Sequence, residues 1–344
     1  MRKYHIIFLS MAIIIGLISS CQVTVTETAN YDVSGNVVNA EVATTSSYYY
    51  GMSSTRVKLT RYEDGVLRSY STYTTYLSSG GSYTFNGVEN GTYKLTGELS
   101  GYTFVPMYVD ITGSNTILPD LIGYQTPSNS TDILIFLQWD NTDYDLDLKL
   151  SAPSGASSRT VVESSSPSQT SGSANLSLKR DVKAPYDLTG SKEGYNGTSS
   201  SEPRVETIRI SGTPYYNSSA GDVNGVPQDE VRIYIDSYGR LKSDGTFDTN
   251  NQYITGLTDN SIPAADARLF IMQGSTLYGT WEVPFDTAET TLHVASIKYA
   301  AGQVLIYSAG NISSVNADEN KNAVYGINKG VRIEDESSIV IIQR

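Results

Sequence analysis

Residues 81–95 read Gly-Ser-Tyr-Thr-Phe-Asn-Gly-Val-Glu-Asn-Gly-Thr-Tyr-Lys-Leu. Two runs with alternating side chains flank an Asn-Gly pair. That is the strongest short-range signal for a β-hairpin, because both turn residues tolerate positive φ. Tyr83 and Phe85 share one face of the first run, as residues two apart in a strand must. The same grammar recurs nearby. Arg56-Val57-Lys58-Leu59-Thr60 alternates polar and apolar, Glu63-Asp64-Gly65 reads as a turn, and Tyr31 to Val38 carries a glycine, Gly35, that suits a bulge or bend. A composition of 26 tyrosines and 29 glycines, with abundant Ser, Thr and Asn, favours strands and turns over helices.

The N-terminus carries a different pattern. Arg2, Lys3 and His5 form a basic head, Ile6 to Ile18 is mainly apolar, and Leu17-Ile18-Ser19-Ser20 leads into Cys21, the single cysteine. The apolar run is about half of what spans a bilayer, so it reads as the core of a signal peptide. The end of the run resembles a bacterial lipobox. The resemblance implies cleavage before Cys21 and a diacylglyceryl group on its sulfur, which would make the lipid the membrane partner and the cell envelope the location, with outer membrane or cell surface favoured. Loss of Arg2 and Lys3 would make the formal charge of −12 more negative by two. Such a charge argues against a nucleic-acid partner, since phosphate binding needs clustered Lys and Arg. One cysteine also excludes an internal disulfide framework and a cysteine-cluster zinc site.

The length suits two domains. Residues 1–20 are expected to be the signal peptide and 21–30 a lipidated tether. Residues 31–125 form a first domain, 126–131 a short linker of Pro, Ser and Asn, and 132–344 a second domain ending in extra strands. The run from Gly81 to Leu95, with Gly101-Tyr102-Thr103-Phe104-Val105-Pro106, resembles the carboxypeptidase regulatory-like and Cna B-type family. That resemblance implies a prealbumin-like β-sandwich with an accessory or stalk role. Some Cna B-type domains carry a Lys–Asn isopeptide bond, for which Lys58 would be the lysine, although its alternating strand suggests a solvated side chain. Tyr48, Tyr49 and Tyr50 cannot all face one core, so this run is a candidate contact for a glycan or protein ligand. Tyr215-Tyr216 fits either a ligand contact or the core.

The second domain opens on Ile133-Leu134-Ile135-Phe136-Leu137-Gln138-Trp139, a buried strand. Next, Tyr144 to Leu150 alternates, placing Leu146, Leu148 and Leu150 inward and Asp143, Asp145 and Asp147 on the outer face. Together with Pro203 to Ile210 and Gly279-Thr280-Trp281-Glu282-Val283-Pro284, this resembles a family of bacterial envelope β-domains and, distantly, prepeptidase C-terminal domains, whose Asp-Leu-Asp-Leu strand lies near calcium. The resemblance implies a larger jelly-roll-like or β-sandwich domain, so the whole chain is expected to be all-β. Ser157 to Ser173 and Tyr186 to Ser201 read as loop insertions, and Gln303 to Tyr307 and Ser338 to Ile342 as added strands.

Two readings of the acidic run remain open. Asp140, Asp143, Asp145 and Asp147, with Asp181 from another loop, would suit Ca²⁺ as a cofactor; equally, they form a solvated edge that blocks strand pairing. No other cofactor is implied. With Cys21 lipidated and His293 the one histidine left, a Cys protease, zinc hydrolase or His-based triad lacks parts, and His293 in its strand reads as structural. The expected function is a non-catalytic binding, display or structural module of the envelope. The alternative is an accessory part of a polysaccharide- or peptide-processing system.

Overall fold

The computed structural model describes residues 30–42, 47–113, 116–140, 144–182, 203–223, 226–241, 247–248, 267–283, 291–300, 303–308 and 341–343. Every regular element among them is a strand. In the first half these are β1 (Asn30–Asn39), β2 (Arg56–Glu63), β3 (Val66–Tyr76), β4 (Ser82–Glu89), β5 (Gly91–Glu98), β6 (Tyr102–Phe104), β7 (Met107–Ile111), β8 (Thr116–Ile117) and β9 (Leu121–Gln125). The rest are β10 (Ile133–Gln138), β11 (Tyr144–Gly155), β12 (Ser158–Val162), β13 (Ser168–Ser171), β14 (Ala174–Arg180), β15 (Val205–Ser211), β16 (Glu230–Leu241), β17 (Phe247–Asp248), β18 (Ala267–Gln273), β19 (Thr276–Val283), β20 (Thr291–Ala300), β21 (Gln303–Ser308) and β22 (Ile341–Gln343).

They build four sheets, paired into two sandwiches. The first sandwich sets an outer sheet, β3-β2-β5-β7, against an inner sheet, β4-β1-β9-β6, with β8 alongside β1. In the second, an inner sheet, β13-β14-β15-β10-β18-β19, faces an outer sheet, β12-β11-β16-β20-β21-β22, with β17 beside β16. The protein is therefore all-β, as its turn grammar and composition imply.

The Asp64-Gly65 pair closes the β2–β3 hairpin, both residues at positive φ of 52° and 78°. Asn90-Gly91 does something else. β4 pairs with β1 while β5 pairs with β2 and β7, so this turn carries the chain from one sheet of the sandwich to the other. The expected hairpin fails because Tyr83 and Phe85 of β4 and Tyr93 and Leu95 of β5 fill the same core from opposite walls. Turn chemistry fixes where the chain reverses, and burial decides which strand it reverses onto.

Two further expectations change. Gly35 is not where β1 irregularly pairs, since the register shift lies between Tyr31 and Val33. A Cβ at Gly35 would stand 2.5 Å from the Tyr83 hydroxyl oxygen, so that glycine makes room for a buried ring. Within Ser157 to Ser173, two strands replace the expected loop: β12 pairs with β11 and β13 with β14, and Val162 and Ser171 are buried. The stretch reads as loop because it is rich in Ser. Its Thr and Val positions still suit a pleated, half-buried surface.

The core lies in two clusters. One fills the second sandwich and includes Trp139, Leu146, Leu148, Leu150, Ile208, Ile233 and Ile271. As expected, the three leucines of β11 point inward. The other fills the first sandwich and does not stop at its boundary: Leu134, Phe136, Val205, Phe270 and Met272 of the second sandwich belong to it. Odd residues of β10 serve one core and even residues the other, so all six are buried. An antiparallel strand normally alternates because one face is wet. The unbroken apolar run of β10 marks a sheet covered on both faces.

Polar clamps fix this junction at both ends of β10. At one end Arg209 donates to Glu41 Oε1 (2.7 Å) and to Asp132 Oδ2 (3.0 and 3.1 Å). At the same end the Tyr124 hydroxyl donates to the Gly274 carbonyl (2.7 Å), while its ring packs 5.3 Å from Phe136 in the middle of the strand. At the far end Gln138 Nε2 donates to the Asp120 carbonyl (2.7 Å) and Arg180 donates to the Val42 carbonyl (2.9 Å).

Candidate functional site

Acidic groups do gather in the second sandwich, in a composition that differs from the expected one. Asp147, Asp181 and Glu206 bring one carboxylate oxygen each within 4.8 Å of one another. Glu206 anchors the group. β12 ends at Val162, opposite Leu150, and among the described residues no strand continues that pairing along the part of β11 before it. Glu206, buried on β15 of the facing sheet, fills that gap: Oε2 accepts the Leu148 N–H (2.6 Å) and Oε1 the Val182 N–H (3.0 Å). It thereby staples β11 to the segment leaving β14 and brings Asp147 to Asp181.

Asp147 shows the electrostatic consequence. Burial and then the Asp181 charge push its carboxyl up to about 7, against the pull of Lys149. Lys149 is shared, since it pairs with Glu163 (3.0 Å) and with Asp236 (2.5 Å), which sits directly across from Asp147 in the sheet register. Three carboxylates this close repel unless a proton or a cation intervenes. Ca²⁺ takes six to eight oxygens at 2.3–2.6 Å, which these groups and water could supply in part.

Of the expected ligands, Asp147 and Asp181 are in this group. Asp140 is not, and it pairs instead with Arg268 (3.2 Å). Asp143 and the Asp145 side chain lie outside the described residues, as does Cys21. Glu206 is the residue the sequence reading missed. Its signal was parity: it shares a strand face with core residues Ile208 and Ile210, which marks a carboxylate on an inward face.

The tyrosine run divides. The Tyr48 hydroxyl donates to the Gly80 carbonyl (2.9 Å) and the Tyr49 hydroxyl to the Ser79 carbonyl (2.8 Å), and the two rings meet edge to face at 5.2 Å. Both hold the 78–82 turn in place, and Gly81 is required there because a Cβ would meet the Tyr49 ring at 2.3 Å. Tyr50 remains exposed, along with Tyr70 and Tyr76. Lys58 faces outward and pairs with Glu98, which agrees with a solvated strand lysine.

His293 lies in a hydrogen-bonded chain with Ser296 and Glu230. Ser296 Oγ donates to Glu230 Oε1 (2.6 Å), and His293 Nε2 lies 2.8 Å from Ser296 Oγ. Burial, then Arg232, lowers the imidazole to about 4, so it is neutral at pH 7. With the serine proton committed to Glu230, the imidazole must donate. An activated nucleophile needs the reverse, imidazole accepting from serine. The arrangement ties β16 to β20.

The fold thus defines an all-β protein of two sandwiches sharing an apolar junction. The family model for the β-sandwich domain of ER membrane protein complex subunit 7 matches residues 17–155, the first sandwich and the entry to the second. No curated protein matches the chain in sequence. Among solved structures, the full-length major pilin SpaD of Corynebacterium diphtheriae is 11% identical, with 61% of each chain covered and a TM-score of 0.25. A streptococcal ancillary pilin is 15% identical over 59% of this chain and 62% of its own, at a TM-score of 0.24. A DUF3823 family protein from Bacteroides uniformis is 10% identical over 74% of this chain and 100% of its own, at 0.20. The chain spans less than two thirds of the length of either pilin.

Proposed function

We propose that this chain is a lipid-anchored module of the bacterial cell envelope, non-catalytic, which displays a binding surface on a stiff pair of sandwiches. The observation that carries the reading is the junction itself. Leu134, Phe136, Val205, Phe270 and Met272 are buried in the core cluster of the first sandwich, so the two units move together rather than as beads on a string. That suits a structural or display role, in which a surface is held at a set distance from the membrane by the tether before Asn30. Cys21 would carry the diacylglyceryl anchor. The exposed tyrosines Tyr50, Tyr70 and Tyr76 offer amphipathic area to a glycan or protein ligand at low entropic cost. Ca²⁺ at Asp147, Asp181 and Glu206 would brace the open edge of β11.

The anchor is tested by expressing the wild type and Cys21→Ala in a bacterial host fed an alkyne-tagged fatty acid. The wild type is expected to take up the tag and partition with membranes, and the variant to do neither. A variant that stays with membranes would refute the lipid anchor. Glycan and matrix-protein arrays probed with the purified chain test the display surface, and binding that survives simultaneous Tyr50→Ala, Tyr70→Ala and Tyr76→Ala replacement removes these rings from the reading.

A further inference from the structure

The outer sheet of the first sandwich turns one face to the core and the other away from it. Val57 and Leu59 of β2, Tyr93 and Leu95 of β5, and Met107 and Val109 of β7 are buried. Strand alternation therefore puts Thr60 and Tyr62, Thr92 and Lys94, and Tyr108 on the outward face. The register sets them side by side. Lys94 lies across from Thr60 in β2 and from Tyr108 in β7, and Tyr62 lies across from Thr92. The Tyr62 and Tyr108 rings meet edge to face with centroids 4.9 Å apart, and both are half-buried. They stand on the two strands that flank β5, so they meet above it.

Positive charge gathers on the same sheet. All five Lys and Arg residues of the first sandwich, Arg56, Lys58, Arg61, Arg68 and Lys94, lie on β2, β3 and β5, in a chain of net charge −12. Arg56 and Lys58 pair with Glu98, Arg61 with Glu89, and Arg68 with Glu63 and Asp64. Lys94 makes no ion pair or hydrogen bond among the described residues, and neither does Thr96, the next outward residue of β5. No Leu, Ile, Val, Met or Phe stands at an outward position of β2, β5 or β7. A protein-binding patch is apolar at its centre and poor in Lys, and this face is the reverse. Tyrosine rings present amphipathic area, threonine hydroxyls both donate and accept, and an unpaired ammonium attracts a carboxylate. Together these match a sugar chain that carries acidic groups.

We propose that this face binds an acidic polysaccharide whose sugars bear carboxylates, with Tyr62 and Tyr108 as a stacking shelf and Lys94 as the anion contact. The proposal rests on the display role proposed above and gives it a ligand class and a surface apart from Tyr50 and Tyr70. The two rings are held by each other and by the sheet, so little order is lost when a ligand arrives. A contact to a surface cation is screened by salt, so binding weakens as ionic strength rises. The net negative charge of the chain repels a polyanion elsewhere, which confines binding to this face.

The test is titration calorimetry of the purified full chain and its Lys94→Glu, Lys94→Arg and Tyr108→Ala variants against polygalacturonate, alginate, neutral dextran and poly-glutamate. Lys94 has no partner to lose, so its replacements leave the fold intact. The wild type is expected to bind both uronate polymers, less tightly at high salt, and to bind dextran and poly-glutamate far more weakly. Lys94→Glu should weaken uronate binding by about tenfold or more, the worth of one charge-assisted contact. Lys94→Arg should retain it, and Tyr108→Ala should lose severalfold. No binding to either uronate polymer, or equal binding by wild type and Lys94→Glu, would overturn the proposal. Equal affinity for poly-glutamate would also overturn it, by making the face a site for acidic peptides. The triple replacement of Tyr50, Tyr70 and Tyr76 by alanine separates the two surfaces. Binding lost there and kept in Lys94→Glu leaves the earlier display surface standing and removes this face; binding lost in Lys94→Glu and kept in the triple variant does the opposite.

Discussion

Replacing Asp147 with asparagine should make the protein more stable at neutral pH, although it removes a side chain from a hydrogen-bonding region. The reason is the crowding of Asp147, Asp181 and Glu206 within 4.8 Å. The Asp147 carboxyl stands at about 7 in the fold against an ordinary 3.8, through burial first and the Asp181 charge second. A raised carboxyl keeps its proton in the folded chain while the unfolded chain releases one. Stability contributed by this group is therefore whole below about pH 4 and drains away as pH rises to about 7. Each pH step across that gap is worth about 1.4 kcal/mol, so the upper limit is ~4 kcal/mol, and partial exposure lowers what is measured to roughly half that. Asparagine carries no charge and avoids the loss. Urea unfolding of wild type and Asp147→Asn at pH 5 and pH 8, in EDTA and in millimolar Ca²⁺, checks the argument. In EDTA the variant should gain on the wild type as pH rises. In Ca²⁺ the wild type should recover, because a bound cation stabilises the ionised form, and the variant should respond less. A variant equally destabilised at both pH values would refute the electrostatic reasoning, and a wild type indifferent to Ca²⁺ would remove the cation from the site.

Gly123→Ala should destabilise the first sandwich by about 1–3 kcal/mol, since its new Cβ would lie 2.7 Å from both Met52 Cε and Phe104 Cε1 in a close-packed core; a denaturation midpoint equal to wild type would show that the Phe104 ring can yield. His293 acts with the opposite sign to Asp147. Its imidazole is lowered to about 4, so the unfolded chain binds a proton from about pH 6.5 downward that the folded chain refuses, and stability falls between those values by up to ~3 kcal/mol. Thermal melting of His293→Gln should lack that part of the acid loss, and parallel profiles for the two proteins would mean that the ring is already hydrated in the fold.

How legible the fold was depends on what each pattern encodes. Alternation in β2 and β11 reports one wet face and one dry face, and Leu59, Leu148 and Leu150 are buried accordingly. The Asp64-Gly65 turn was readable because its strands are neighbours in one sheet. Asn90-Gly91 misled because a turn signal is local while strand pairing is not: β5 finds its partners in β2, whose paired residues lie 30 to 42 positions earlier in the chain, and in β7. The most informative run was the one without alternation. Residues 133–138 could be read as buried, but the sequence alone does not say what lies on the second face. That answer comes from Tyr124, Ile122 and Val38 of the other sandwich, which share a core cluster with Leu134 and Phe136.

The acidic group illustrates a harder limit. Parity places Asp147 outward, opposite in sense to Leu146 and Leu148, and places Glu206 inward beside Ile208 and Ile210. In the middle of a sandwich two such residues would be kept apart by a sheet. They meet because β12 does not reach Leu148, leaving β11 an edge there among the described residues, and at an edge the inner and outer faces are continuous. Nothing in the spacing of Asp140, Asp143, Asp145 and Asp147 announces that edge, since it is set by where β12 stops. A run of aspartates in sequence therefore did not become a cluster in space: Asp140 was drawn to Arg268, and Asp147 was joined by carboxylates 34 and 59 residues away. For β-sandwiches the place to look for a cation or proton site is then an inward-parity carboxylate on a strand facing the end of a short edge strand, rather than the densest acidic stretch.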